Sequence, residues 1–404
     1  MESCAFVAYI LLALSAFALL ESLYSLKGGL NYLRSFRQFK SSATGHRPPA
    51  TLILPCKGIE PGLERNLRAY FNLDYPDFQL LLVTESVNDP CLPLLRLLKH
   101  DYPHVNAHLL YAGRASARGQ KVHNLLEAVR RLRDNDRVIA FGDSDIRPHP
   151  NWLLDLIALL EDPKVGMSTG FRWYLPQEGN FASVLRSVWN AGTASLLQEK
   201  DCLFAWGGAM AIRREVFESS GVPDYWKNAV SDDYAISRAM HDHSLSIHFQ
   251  PRCLSFSHED CTLGQLLGWV YRQLCITRVY QPRLWKAAFI TQALNVAVIW
   301  GGSAAILLSL FLGFCPEMLV LALMVAAIYL LGVAKNWLRV RAVRELFPEQ
   351  WTSLRRYLHA YLLWGPLASL LSIMSLIRTL FSRDIEWRGI RYRMLSSRKT
   401  VVLR

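Results

Sequence analysis

Two aspartates with a single serine between them, Asp143 and Asp145, stand where a short apolar run ends, in RVIAFGDSDIRPHP (137–150). The run Val138 to Phe141 has the length and composition of a buried strand, and Gly142 stops it. Two carboxylates two residues apart, just past a strand end, can be aimed at one point. Their hard oxygens suit Mg²⁺ or Mn²⁺ better than zinc, and an ion held there would grip a diphosphate. Pro148 and Pro150 also fit an ordinary Asp-rich turn, so the pair takes its meaning from its surroundings.

Those surroundings repeat the pattern. The strand-like run TLILP (51–55) is followed by Lys57, and QLLLVT (79–84) by Glu85. Between them Leu63, Leu67, Tyr70 and Phe71 recur at helical spacing. Further helices are expected over 91–100 and 121–133, with a short strand at 108–111. Strands alternating with helices predict an α/β fold with a mostly parallel sheet, which places its chemistry outside the carboxyl ends of its strands. Lys57, Glu85 and Asp143 all stand there, and Lys121 adds a cation at the start of a helix.

Downstream, 151–160 reads as a helix, 165–174 as a strand and 181–198 as a long helix. FAWGGAMAIR (204–213) reads as a glycine-hinged strand whose backbone can lie close to a ligand. Helices follow from 213 and from 232, with a strand at 245–249. Ser231 is a good N-cap, and Asp232 and Asp233 suit the first turn of the helix it opens, so capping alone accounts for them. The helix 263–280 is amphipathic, and Arg272 and Arg278 fit snorkelling side chains on an interfacial helix.

The chain has 404 residues, is 51% hydrophobic and carries a net charge of +12. The apolar residues concentrate at its two ends. Residues 1–26 read as an N-terminal transmembrane anchor. Glu2 and the lack of basic residues before the apolar run argue against a cleaved signal peptide. Residues 27–49 form a basic linker, 50–262 the catalytic domain, and 263–286 an amphipathic interfacial helix that completes the site. Residues 287–382 hold C-terminal membrane segments, and 383–404 a basic cytosolic tail. The break at Gly365-Pro366 makes 357–381 the segment expected to be re-entrant or interfacial. The basic flank after the anchor puts the catalytic domain in the cytosol. No nucleic-acid module is visible, so the positive charge points to anionic lipid and a nucleotide sugar rather than to nucleic acid. None of the eight cysteines has CxxC spacing, which predicts reduced, structural thiols.

Taken in order, LPCKGIEPGLERNL (54–67), LDYPDFQLLLV (73–83), NDP (88–90), GQKVHNL (119–125), FGDSDIR (141–147), GGAMAIRREVF (207–217), SDDYAISRAM (231–240) and WRGIRYR (387–393) resemble the ceramide glucosyltransferases and their bacterial relatives. These are membrane-bound glycosyltransferases of the GT-A (Rossmann-like) fold. The resemblance implies inverting transfer of a sugar, by family default glucose from UDP-glucose, to a lipid hydroxyl such as that of ceramide at the cytosolic membrane face. It makes Asp143 and Asp145 the metal site for the donor diphosphate, with Mg²⁺ or Mn²⁺ as cofactor, and Asp233 the catalytic base. Arg272 and Gln273 fall where the family has an RxxRW or QxxRW helix, but no Arg-Trp pair stands there. Arg278 is the rival for the catalytic arginine. Lys57, Glu85, Lys121, Gln273 and Arg278 become donor-binding candidates, Glu85 standing where the family usually has an aspartate. A histidine that animal members carry near 193–196 is missing. The expected partners are a nucleotide-sugar donor, a membrane lipid acceptor and the bilayer itself. The membrane would be a bacterial inner membrane, or that of the Golgi or endoplasmic reticulum in a eukaryote. Other acceptors (a hopanoid-pathway lipid, diacylglycerol or polyprenyl phosphate) fit the same motifs, as does an inactive GT-A membrane scaffold.

Overall fold

The computed structural model describes residues 2–38, 45–197, 201–313 and 316–403. The chain divides into two compact units.

One unit, Gln38–Tyr174, Leu196–Glu259 and Arg383–Arg404, is built on a seven-stranded sheet. Its strands are β1 (Ala50–Pro55), β2 (Phe78–Thr84), β3 (Asn106–Tyr111), β4 (Val138–Gly142), β5 (Val165–Tyr174), β6 (Ala209–Arg213) and β7 (Ser246–Ser257). Their order is β3-β2-β1-β4-β6-β5-β7. β3, β2, β1 and β4 are parallel neighbours, β6 runs antiparallel to both β4 and β5, and β5 pairs in parallel with β7. The strands read as unbroken apolar runs because the sheet is covered. β4 and β5 are buried along their whole length, as expected of a sheet packed on both faces. Leu52, Leu54, Leu67, Tyr70, Leu82, Leu95 and Trp152 share one core cluster.

β5 spans the expected residues, whereas β6 and β7 differ from the sequence reading. Residues 204–208 are a loop rather than the start of β6. β7 continues past Phe249 through Pro251 to Ser257. A proline is tolerated there because β7 is an edge strand and its pairing with β5 shifts register near that point.

Residues 383–404 are not a loose basic tail. They form a three-stranded antiparallel sheet of β8 (Asp384–Trp387), β9 (Ile390–Ser396) and β10 (Lys399–Leu403), grouped with the seven-stranded sheet in the same unit. Along β9 Tyr392 and Met394 are buried while Arg391 and Arg393 face out. This period of two puts the basic residues on the solvent side of a strand.

The other unit, Met1–Arg37, Leu175–Ser195 and Asp260–Ser382, is helical where described. The long helix Phe181–Ala194, expected within the catalytic domain, belongs here. Among the described residues three helices are long and apolar enough to cross a membrane: Phe6–Gln38, Pro282–Phe311 and Pro316–Leu346. The first extends beyond the anchor expected at 1–26, so Lys27, Arg34 and Arg37 lie on it rather than in a linker. Linker residues 39–44 lie outside the described residues. The third runs unbroken to Leu346, through the basic residues Lys335 to Arg344, because no breaker stands before Pro348. Contacts at Tyr9–Glu317 (3.1 Å), Ser25–Lys335 (2.5 Å) and Arg37–Glu345 (2.7 Å) run in step along the first and third helices, which are therefore parallel. The segment 357–381 is broken into Leu358–Leu363 and Gly365–Phe381, as Gly365-Pro366 predicts. The six cysteines whose side chains are described are buried.

Candidate active site

The site is assembled by loops that leave the carboxyl ends of the central strands. β4 delivers Asp143 and Asp145, and the helix Leu63–Phe71 fixes the backbone between them. Tyr70 Oη donates to the Asp143 carbonyl at 2.8 Å, and Asn66 Nδ2 lies 3.5 Å from the Ser144 carbonyl oxygen. The two carboxylates converge as their spacing predicts. Asp145 Oδ1 is 2.5 Å and Asp143 Oδ2 3.5 Å from the same guanidinium nitrogen of Arg172, on β5. Arg172 lies near Tyr174 and Trp206, ring centroids 5.6 and 5.2 Å away, and Glu259 is 3.9 Å from it. Burial opposes ionisation of Asp145, but Arg172, with help from Arg388 and Lys121, holds its carboxyl below the usual range.

Lys121 links this pair to the next carboxylates. It stands in the first turn of the helix Gln120–Val129, whose preceding residue Gly119 donates its N–H to Ala229 O at 2.8 Å. That backbone bond brings the helix start beside the segment leading into the helix Asp232–Asp242. The Lys121 ammonium lies 2.8 Å from Asp143 Oδ1, 2.9 Å from Asp232 Oδ2 and 3.1 Å from the Gly207 carbonyl. Asp232 is 1% exposed. Burial raises its carboxyl to about 7, against the pull of Lys121. Burial disfavours the charged form of Lys121 in turn, but Asp143 and Asp232 together hold its pKa above the ordinary lysine value.

Asp233 accepts from Gly207 N at 3.3 Å and Tyr234 N at 2.8 Å, and Ser231 Oγ donates to it. The Gly207 peptide thus bonds to Lys121 on one side and to Asp233 on the other. A side chain at 207 would put its Cβ 2.6 Å from Asp232 Oδ2 and 2.8 Å from Lys121 Nζ, so a larger residue would displace one of these groups. Gly207 lies in a loop rather than in the glycine-hinged strand the sequence suggests, and its backbone lies close to the Lys121 and Asp233 side chains.

Asp143, Asp145, Lys121 and Asp233 therefore form one linked cluster. Lys57 and Glu85, at the ends of β1 and β2, pair with each other at 3.3 Å, and Arg114 joins Glu85 at 3.3 Å. Arg272, Gln273 and Arg278 lie on the helix Leu263–Tyr280 of the helical unit. There Arg278 donates to the Thr379 carbonyl and lies over the Trp285 ring, 5.6 Å from its centroid. Sequence reasoning missed Arg172, Asp232 and Arg388. A charge inside the buried run of β5 was the available signal for the first.

The donor set also bears on metal binding. Among the described residues no three His, Cys, Asp or Glu side chains are spaced to hold a metal ion. Asp143 and Asp145 nevertheless aim at one cationic point. Mg²⁺ is commonly held by one or two carboxylates, with substrate phosphates and water completing its shell, and the aspartate pair fits that mode.

A mostly parallel sheet with an antiparallel β6 beside a β4 that is followed by Asp-Ser-Asp defines a GT-A glycosyltransferase fold. The chain is similar to the mannosyltransferase PcManGT of Pyrobaculum calidifontis, solved in complex with GDP-Man and Mn²⁺. The TM-score is 0.51 and the identity 19%, over 89% of this chain and 97% of that one. The model of glycosyl transferase family 21 matches residues 9–400, and the chain belongs to that family. Among curated relatives, ceramide glucosyltransferase 1 of Caenorhabditis elegans is 22% identical over 197 residues, 48% of this chain and 42% of the relative. The ceramide glucosyltransferase of Komagataella phaffii is 35% identical over 83 residues, 20% of this chain and 16% of the relative. The chain thus spans less than half the length of either relative.

Proposed function

We propose that the chain is an inverting hexosyltransferase that moves glucose from UDP-glucose to a hydroxyl of ceramide at the cytosolic face of a membrane. The observation that carries this reading is the Lys121 bridge. It ties Asp143, suited to a donor diphosphate site, to Asp232, the neighbour of Asp233, at the carboxyl ends of the parallel strands. Membership of family 21 supports sugar transfer, and the activity named for the relatives supports glucose and ceramide. The three long apolar helices support a membrane setting.

In this mechanism Asp233 accepts the proton of the acceptor hydroxyl as its oxygen bonds to the anomeric carbon and the bond to the nucleoside diphosphate breaks. Negative charge grows on the departing diphosphate. Lys121 and Arg172, already fixed by neighbouring carboxylates, meet that charge without reorganising. Lys57 and Glu85 contact the nucleoside. Asp143 and Asp145 would hold Mg²⁺ or Mn²⁺, which when bound neutralises the diphosphate as a Lewis acid.

The test is incubation of the purified full chain with UDP-glucose, Mn²⁺ and ceramide, followed by mass spectrometry of the lipids. Hexosylceramide is the expected product. Product on diacylglycerol or polyprenyl phosphate alone would reassign the acceptor. No lipid product from any nucleotide sugar would overturn the proposal.

A further inference from the structure

The C-terminal sheet reaches into the carboxylate cluster by a single side chain. β8 and β9 pair from Asp384↔Arg393 to Trp387↔Ile390, which leaves a two-residue loop of Arg388 and Gly389. Both loop residues have positive φ, 53° and 73°. That is the pattern of a type I′ hairpin turn, whose first position favours Asn, Asp or Gly. Arginine in left-handed backbone is strained, and an outlier of this kind points from structure toward function. What arginine offers over asparagine is reach and a forked cationic head. The Arg388 guanidinium pairs with Glu60, in the loop after β1, and lies 3.5 Å from Asp145 Oδ2.

The hairpin is seated rather than dangling. Buried Tyr392 accepts from the N–H of Gln120, the residue before Lys121, at 3.1 Å. Thr400 Oγ1 donates to the Asn228 carbonyl at 2.8 Å. β9 is therefore fastened to the start of the helix that carries Lys121, and the turn projects from that anchor to the Asp-Ser-Asp loop.

Resting on the sugar-nucleotide reading above, we propose that Arg388 is a ligand of the donor diphosphate, carried to Asp145 by the C-terminal hairpin. A guanidinium fork matches phosphate oxygens in pairs. Glu60 holds the side chain in place before the donor arrives. The C-terminal residues are then part of the donor site, and a chain cut before β8 lacks one of its cations.

The experiment titrates the purified full chain with UDP and with UMP, each with Mn²⁺, by calorimetry. Arg388→Asn makes the turn Asn-Gly, which the backbone prefers, so charge is removed while the hairpin is kept. UDP is expected to bind R388N at least about tenfold more weakly than wild type, while UMP changes less than about twofold. R388K is expected to recover part of the UDP affinity. R393A, which removes a cation from the same hairpin where it pairs with Asp384 at 2.7 Å, should bind UDP as wild type does. Equal loss for UDP and UMP, or no loss for either, would overturn the proposal and leave Arg388 as a strap to Glu60. Failure of wild type to bind either nucleotide would instead overturn the sugar-nucleotide reading on which it rests.

Discussion

The ammonium of Lys121 and the carboxylate of Asp232 meet at 2.9 Å, with Asp232 almost fully buried. A buried pair of this kind adds little net stability, but removing one partner strands the other charge. Here the lysine also holds Asp143, so one cation registers the loop after β4 against the helix that carries Asp233.

Lys121→Met is expected to lower unfolding stability by about 3 kcal/mol, the cost of breaking a buried ion pair, and to abolish transfer. Adding Asp232→Asn should restore most of the stability, because the uncompensated carboxylate is gone, but none of the activity. Denaturant titration of the single and double variants measures both. An undiminished single variant would show that the lysine does not organise the cluster.

Gly207→Ala tests the packing of the same group. Its Cβ would intrude on both Asp232 and Lys121, so either these side chains or the loop must shift. The expected outcome is a large loss of turnover, on the order of a hundredfold for a misplaced catalytic group. Activity near wild type would mean that the bond from Gly207 N to Asp233 is dispensable.

Removal of divalent metal is expected to stop transfer, and added Mn²⁺ or Mg²⁺ to restore it. Asp143→Ala and Asp145→Ala should each raise the metal concentration needed for half-maximal rate. Full turnover after exhaustive chelation would leave the aspartate pair as a seat for Arg172, Lys121 and Arg388.

The C-terminal sheet and the seven-stranded sheet fold as one unit, so both must lie on one side of any membrane the chain crosses. An even number of crossings then separates residue 38 from residue 383. Pro282–Phe311 and Pro316–Leu346 supply two, and the broken segment 357–381 is expected not to span. A C-terminal tag should be cleaved or labelled together with the catalytic domain in sealed vesicles. Protection of one but not the other would contradict this.

Much of this was legible because local pattern and tertiary role coincide. The apolar run of β5 and the amphipathic helix Leu263–Tyr280 have the bounds the sequence suggests. The strand-end rule led to Lys57, Glu85 and Asp143. Lys121 was read only as positive charge near a nucleotide, and its bridge to Asp232 is a tertiary fact. Asp232 itself was hidden by a sufficient local explanation, helix capping. Arg388 lies in a motif that carries the family resemblance, WRGIRYR (387–393), but its role escapes the sequence because it meets Asp145 across more than two hundred residues. The alternation of Tyr392 and Met394 with Arg391 and Arg393 was the overlooked strand signal.

The most direct test of the central claim, that one cluster both holds the donor and deprotonates the acceptor, is the rate of glucose transfer by Asp233→Asn alongside its affinity for UDP. Asparagine keeps the size and a hydrogen-bonding oxygen but cannot take a proton. The account predicts UDP binding within about twofold of wild type and a rate lower by about two to four orders of magnitude, the usual worth of a general base. Transfer at the wild-type rate would contradict it.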